Sequence, residues 1–144
     1  MRGLTKIALK TLYALSFWLP SVRKVPEHIK TGRRGEEAAY FYLRQLGYTI
    51  VARNWRGSGR RGELDMVGWD GGTLCFIEVK TRGERGLVPA EAAVDMAKRD
   101  ELAGMAWLYR KKISSATPYR FDIVNVYLGP SMEIELLKDA FTPR

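Results

Sequence analysis

The chain has 144 residues, of which 46% are hydrophobic and 28% are charged, and this composition excludes an intrinsically disordered chain. Its formal net charge of +8 favours polyanions or anionic lipid as partners. The single cysteine, Cys75, excludes a disulfide framework, and with His28 as the one histidine neither a zinc site of the usual ligands nor a Ser-His-Asp hydrolase is expected. The cysteine usage is compatible with a cytoplasmic location, which we expect.

Residues 1–31 are predicted to be a basic, apolar helical arm followed by a linker. Residues 1–20 contain no acidic residue, and Lys6 and Lys10 leave an apolar stretch too short for a membrane span. The arm fits two interpretations, an amphipathic helix for a membrane surface or partner groove and a helix packed on its own domain or on a second copy. We favour the second interpretation. Pro20, Pro26 and several charges predict the linker over residues 21–31.

The folded domain is predicted to span residues 32–144 and to begin with a helix from Gly32 to Gly47, where glycine suits the end of a helix. Glu36 lies on the apolar stripe of this helix, four residues before Tyr40. A carboxylate there is either a first-turn glutamate favoured by the helix dipole or a functional acid. A strand over residues 48–55 follows. The basic loop at 56–62 is either a phosphate-binding loop or a solvated turn.

A hairpin is the central feature of the pattern. The glycines in residues 70–72 predict a tight turn between two strands, and this register places Asp65 opposite Glu78 and Glu63 opposite Lys80 on one face. Like charges in directly opposite positions destabilise a sheet, so the pair needs compensation. Two convergent carboxylates suit Mg²⁺ or Mn²⁺, whereas an exposed face with ordinary salt bridges is the alternative.

The remaining elements predict the fold class. A long helix from Pro89 to about Lys112 places Lys98 among its inward positions, and two further strands are expected over residues 119–128 and 133–137. The order of helix, three strands, helix and one or two strands predicts an α/β or α+β domain with a central mixed sheet flanked by helices.

The helix acid Glu36, the strand acid Asp65 and the sequence Glu78-Val79-Lys80 together resemble the PD-(D/E)xK nuclease fold, the restriction-endonuclease-like fold. Five blocks in order carry a closer resemblance: Gly35-Glu36 with Ala39, Arg53-Asn54-Trp55-Arg56, Gly62-Glu63-Leu64-Asp65, Phe76-Ile77-Glu78-Val79-Lys80-Thr81-Arg82 and Arg120-Phe121-Asp122. Over residues 32–141 they resemble the YraN family of endonuclease-like proteins, itself similar to archaeal Holliday-junction resolvases. Leu64 stands where the family motif has proline, and the arm has no counterpart in the core fold.

The resemblance implies a phosphodiesterase. Asp65 and Glu78, with the backbone carbonyl of Val79, would coordinate one or two Mg²⁺ or Mn²⁺ ions. Glu36 would join these metal ligands from the helix, directly or through a metal-bound water. Lys80 would orient or deprotonate the attacking water. Glu63 is left open as a second metal ligand or a partner of Lys80.

The expected partners are DNA, including branched DNA, and a second copy of the chain. The basic residues expected to bind nucleic acid are Arg53, Arg56, Arg60, Arg61, Arg82, Arg85 and Lys98. A nucleic-acid-binding module of the same fold with little or no cleavage is one alternative. A protein that docks on a membrane surface or a partner through residues 1–20 is another.

Overall fold

The computed structural model describes residues 25–83 and 94–143. Over this part of the chain two helices and five strands form an α+β domain. In chain order they are α1 (Glu27–Gln45), β1 (Thr49–Trp55), β2 (Leu64–Asp70), β3 (Thr73–Arg82), α2 (Met96–Arg110), β4 (Tyr119–Leu128) and β5 (Met132–Phe141).

The strands form one mixed sheet in the order β1-β2-β3-β4-β5, as the predicted fold class requires. The pair β3–β4 is parallel and is connected through α2, whereas the other neighbouring pairs are antiparallel. The predicted hairpin register is confirmed as far as the ladder extends, with Val67 opposite Phe76 and Asp70 opposite Thr73. Gly71 has φ 58°, the left-handed conformation that a tight turn requires and that glycine adopts without strain.

Each face of the sheet buries its own apolar cluster. On the first face, Ala39 and Leu43 of α1 pack against strand residues that include Met66, Ile77 and Val124. The second face packs against α2, and its buried cluster contains Leu64, Val67, Leu74, Phe76, Leu102, Met105, Phe121 and Ile123. Because both faces of the central strands are covered, a charged residue on them needs a specific partner.

Three predicted boundaries are wrong. The last strand, predicted over residues 133–137, extends from Met132 to Phe141. Helix α1 begins at Glu27 after the N-cap residue Pro26, so residues 27–31 are helical rather than part of a linker. Helix α2 begins at Met96 rather than at Pro89, because the side chain of Asp95 accepts a hydrogen bond from the Lys98 N–H and caps the helix there. Residues 84–93, including Pro89, lie outside the described residues, as does the arm at 1–24. Among the helices that are described, none is long and apolar enough to cross a membrane.

A partly buried charged network at the turn end of the hairpin joins strands β2, β4 and β5 to Tyr48, the residue before β1. Arg120 donates to Asp122 at 2.8 Å and to Asp70 at 2.6 Å, and the Tyr48 hydroxyl donates to Asp122 at 3.0 Å. Lys138 pairs with Asp70 from β5 at 2.8 Å. The Arg120-Phe121-Asp122 block therefore ties the strands together structurally and lies next to Cys75 and Ile77, before Glu78 along β3.

Candidate functional site

Asp65 and Glu78 lie side by side just beyond the last paired residues of the hairpin. The backbone N–H of Val79 donates to Oδ2 of Asp65 at 2.8 Å, and the Glu78 side chain is only 5% exposed. Burial and then repulsion from Glu78 raise the pKa of Asp65 to about 8, against the opposing effect of the Val79 hydrogen bond, and Glu36 adds further repulsion. The structure therefore brings the two predicted acids together at one point.

Two lysines converge on the same oxygen of Glu78. The Lys80 Nζ atom lies 3.0 Å from Glu78 Oε1, and Lys98 Nζ reaches that oxygen from α2 at 3.7 Å. Lys98 also pairs with Glu101 at 3.1 Å. Burial disfavours the Lys98 ammonium, but the carboxylates of Glu78 and Glu101 outweigh it and raise its pKa above the usual value. The inward position predicted for Lys98 is therefore a position beside Glu78.

Glu36 and Glu63 are linked through Asn54, a residue of the Arg53-Asn54-Trp55-Arg56 block for which no role of its own is predicted from the sequence. Asn54 Nδ2 lies 3.3 Å from Glu36 Oε2 and 3.5 Å from Glu63 Oε1, and its backbone has a left-handed φ of 49°. Arg56 binds Glu63 through two nitrogens, at 2.9 and 2.8 Å. The Glu63–Lys80 pair considered from the sequence is wrong, because Lys80 pairs with Glu78 and Glu63 with Arg56.

The Arg56–Glu63 pair borders two cavities, which together form what we call the cleft. One, of about 480 Å³, is lined by Arg60, Arg61 and Lys98. The other, of about 610 Å³, is lined by residues of α1 that include His28 and Glu36. Lys98, which reaches Glu78, thus connects the acid pair to a cleft whose walls carry cations together with Glu36, Glu63 and Glu101.

The predicted nucleic-acid-binding residues divide between the cleft and other places. Arg56, Arg60, Arg61 and Lys98 line the cleft. Arg60 packs on α2, where a Cβ at Gly104 would overlap its guanidinium. Arg53 lies over the ring of Tyr40, 4.7 Å from its centroid, and pairs with Glu37 at 3.6 Å. Arg85 is outside the described residues.

Four buried polar side-chain atoms have no hydrogen-bond partner among the described residues: Glu78 Oε2, Arg82 Nε, Asn125 Nδ2 and Asn125 Oδ1. Asn125 is fully buried and pairs in register with Lys80, so it shares a sheet face with Lys80, Glu78 and Arg82. In the sequence, Asn125 is a single amide inside the apolar run 123–126, and no role is predicted for this residue from the sequence. The polar side chains of the site therefore extend from β3 onto β4.

The donor set decides which cation would fit. Within residues 25–83 and 94–143 no three acidic, histidine or cysteine side chains converge to form a preformed metal cage. Mg²⁺ does not need one, because it is usually held by one or two carboxylates together with waters and substrate phosphates. The unpartnered Glu78 Oε2 and the raised pKa of Asp65 fit a hard divalent cation between the two acids. The role expected of the Val79 carbonyl stays a prediction.

The five-stranded mixed sheet between two helices places this protein in the restriction-endonuclease-like fold class. The chain belongs to the family described as Uncharacterised protein family UPF0102, the YraN family, whose model matches residues 35–126. That range contains all the acids and lysines of the site.

Three relatives show how far the similarity extends. The chain is 55% identical over 142 residues to a UPF0102 protein of Koribacter versatilis (strain Ellin345), covering 98% of this chain and 96% of the relative. It is 48% identical over 120 residues to one of Solibacter usitatus (strain Ellin6076), covering 83% and 89%. A UPF0102 protein of Symbiobacterium thermophilum is 45% identical over 116 residues, covering 78% and 96%.

Proposed function

We propose that this protein is a metal-dependent phosphodiesterase that cleaves DNA, with Asp65 and Glu78 as the ligands of Mg²⁺ or Mn²⁺. The observation that carries the proposal is a pair of adjacent carboxylates, the partly buried Asp65 and the buried Glu78, which keeps an unpartnered oxygen. Lys80 pairs with Glu78, and Lys98, which also reaches Glu78, lines the cleft. Two adjacent buried acids are unfavourable in a metal-free fold, and this cost is typical of functional sites.

Each side chain of the site has a separate role in the proposed reaction. A bound Mg²⁺ would supply Lewis-acid stabilisation of the charge that develops on the scissile phosphate. Lys80, 3.0 Å from Glu78, orients the attacking water or takes its proton, and Lys98 adds positive charge from α2. Glu36, hydrogen-bonded to Asn54, would reach the metal from the α1 side, directly or through a water. Asn54 and Arg56 both contact Glu63 and hold its carboxylate in position.

The cleft supports a polyanionic substrate. Arg56 is 76% exposed while it pairs with Glu63, and Arg60 and Arg61 line the adjacent cavity. Each phosphate that these cations neutralise releases a counterion, so binding should weaken steeply between about 50 and 200 mM salt. Replacing Arg60 with glutamine should lower the slope of log K against log salt by about one. Salt-independent binding would contradict a phosphate-binding cleft.

A substrate panel tests the activity. Labelled duplex, nicked, flap and four-way-junction DNA are incubated with the full chain in Mg²⁺, Mn²⁺ or EDTA. We expect cleavage only with metal, and a loss of about 100-fold in Asp65→Asn and Glu78→Gln. Asp100→Asn, an exposed carboxylate on α2, is the matched control and should cleave like the wild type. Metal-dependent cleavage that survives in both acid variants would refute the site.

A nucleic-acid-binding module with little or no cleavage is the second candidate. The observation in its favour is that two lysines already occupy Glu78 Oε1, and that the described residues contain no group of three converging metal ligands. Such a module would shift DNA equally in Mg²⁺ and EDTA and cut in neither.

Two expectations of the sequence remain as proposals. A homodimer would suit a junction, which presents two symmetric strands, and analytical ultracentrifugation with and without junction DNA measures it. Membrane or partner docking through residues 1–20 is tested by liposome co-sedimentation with and without residues 1–30.

A further inference from the structure

A second exposed surface pairs aromatic rings with cations at the end of α2. We call it the Trp107 surface, formed by Trp107, Arg110, Lys111 and Tyr119. Trp107 is 53% exposed, and Lys111 Nζ lies 3.7 Å from its ring centroid. Arg110 lies over the ring of Tyr119, also at 3.7 Å. A groove of about 270 Å³ lies between Trp107, Arg110 and Lys111, and no acidic residue is among the described residues that line it.

Packing of α2 does not account for Trp107. The helix buries Leu102, Met105 and Ala106 against the sheet. At 3.6 residues per turn, Trp107 faces away from these positions. Single exposed aromatic residues are common on protein surfaces. This surface differs because cations cover its rings: Lys111 lies over Trp107, and the preceding residue, Arg110, lies over a second exposed ring, Tyr119. Lys112 follows them directly in the sequence.

The Trp107 surface continues from the cleft along one helix. Lys98 lines the cleft at the start of α2, and Arg60 packs on Gly104 one turn before Trp107. The rise of 1.5 Å per residue puts Trp107 about 14 Å beyond Lys98 along the helix axis. Cations therefore extend from the cleft towards two exposed rings, which is the combination found in proteins that bind single-stranded nucleic acid.

We propose that the Trp107 surface is a base-stacking platform for an unpaired DNA strand that leaves the cleft. Trp107 stacks on a base, and the cations at 110–112 hold the adjacent phosphates. Stacking of this kind tolerates any base, so the platform recognises unpaired structure rather than sequence. The proposal rests on DNA binding in the cleft but not on cleavage, because binding can be measured without metal.

Fluorescence anisotropy in EDTA tests the platform with the full chain. The probes are a blunt duplex, the same duplex with a single-stranded tail, and a single-stranded oligonucleotide. We expect Trp107→Ala to weaken binding of the two probes with unpaired bases about tenfold and to leave the blunt duplex unchanged. Trp107→Phe should retain most of the binding because it keeps a ring. Phe41→Ala, which removes a 55% exposed ring on α1, is the matched control and should change none of the three.

Several results would overturn the platform. One is equal binding of all probes by Trp107→Ala and wild type, and another is an equal loss on the blunt duplex. The platform would also be refuted if the wild type bound the tailed duplex no more tightly than the blunt duplex. It would likewise be overturned if Trp107→Ala lost binding to vesicles of phosphatidylserine and phosphatidylcholine but bound DNA like the wild type. That result would assign the surface to membranes. If no substrate is cut but the selective loss persists, the proposed cleavage fails and the platform stands.

Discussion

The Val79 N–H and the Asp65 carboxylate form a hydrogen bond of 2.8 Å that joins β3 to β2 beyond the last paired residues of the hairpin. This bond holds the Asp65 carboxylate beside Glu78, although burial and repulsion disfavour its charge there. Strands hold functional groups more precisely than loops do. The acid pair is therefore built into the scaffold and does not depend on a bound cation for its position.

Replacing Asp65 with asparagine should separate a metal site from a structural ion pair. The change replaces a carboxyl group whose charge is disfavoured by burial and by Glu78 with a neutral amide of nearly the same shape, so the metal-free variant should melt at the wild-type temperature or higher. Stabilisation by Mg²⁺ should be lost, because a ligand bound only by the folded state raises its stability. Thermal melts with and without Mg²⁺ measure both effects, with Asp100→Asn as the control. A clearly lower melting temperature without metal would indicate that Asp65 is a structural partner.

The metal-free protein should lose stability as the pH rises from about 4 to about 8. The pKa of Asp65 is raised by burial and by Glu78 from 3.8 to about 8, so in this interval the folded state keeps a proton that the unfolded state has released. Raising the pH removes that advantage. Urea unfolding near pH 5 and near pH 9 should therefore show a smaller decrease for Asp65→Asn than for the wild type. If the wild type and Asp65→Asn lost the same amount of stability between these pH values, the raised pKa of Asp65 would be contradicted.

Lys80→Met should act in the opposite direction to Asp65→Asn. It removes the cation 3.0 Å from Glu78, whose side chain is 5% exposed, and leaves Lys98 at 3.7 Å as the remaining lysine. We expect the metal-free free energy of unfolding to fall by about 1 kcal/mol, since Lys80 itself is partly exposed. Urea denaturation measures the change, and Lys112→Met at an exposed position is the control. An unchanged value would mean that Lys98 alone compensates the acids.

Asn125→Leu should stabilise the metal-free protein. Asn125 is fully buried, and neither atom of its amide has a hydrogen-bond partner among the described residues. Replacing an unsatisfied amide with an apolar group of similar size should raise the free energy of unfolding by about 1 kcal/mol. Chemical denaturation tests this, with Asn125→Asp expected to be destabilising because it adds a buried charge. A less stable leucine variant would show that the amide is hydrogen-bonded.

Local patterns predicted the centre of the fold better than its connections. The hairpin register follows from a glycine turn and strict alternation, and the inward position of Lys98 follows from helical periodicity. The start of α2 was wrong because the Asp95 side-chain cap competes with the preference of proline for a first turn. The partner of Glu63 was missed because Arg56 reaches it across the β1–β2 pair, where Trp55 lies opposite Leu64. Asn54 contacts Glu36 of α1 and Glu63 before β2, and Asn125 lies opposite Lys80 of β3, and no local pattern encodes such long-range neighbours.

The β2–β3 hairpin closes through a short turn, whereas the parallel pair β3–β4 joins Leu74 to Tyr119 across the whole α2 connection. Closing a short loop costs less chain entropy than closing a long one, so we expect the hairpin to form first during folding. The hairpin carries both acids of the site, whereas Lys98 reaches them only when α2 packs against the sheet. A divalent cation present during refolding should therefore speed up folding itself, by relieving the repulsion before the second lysine is in place.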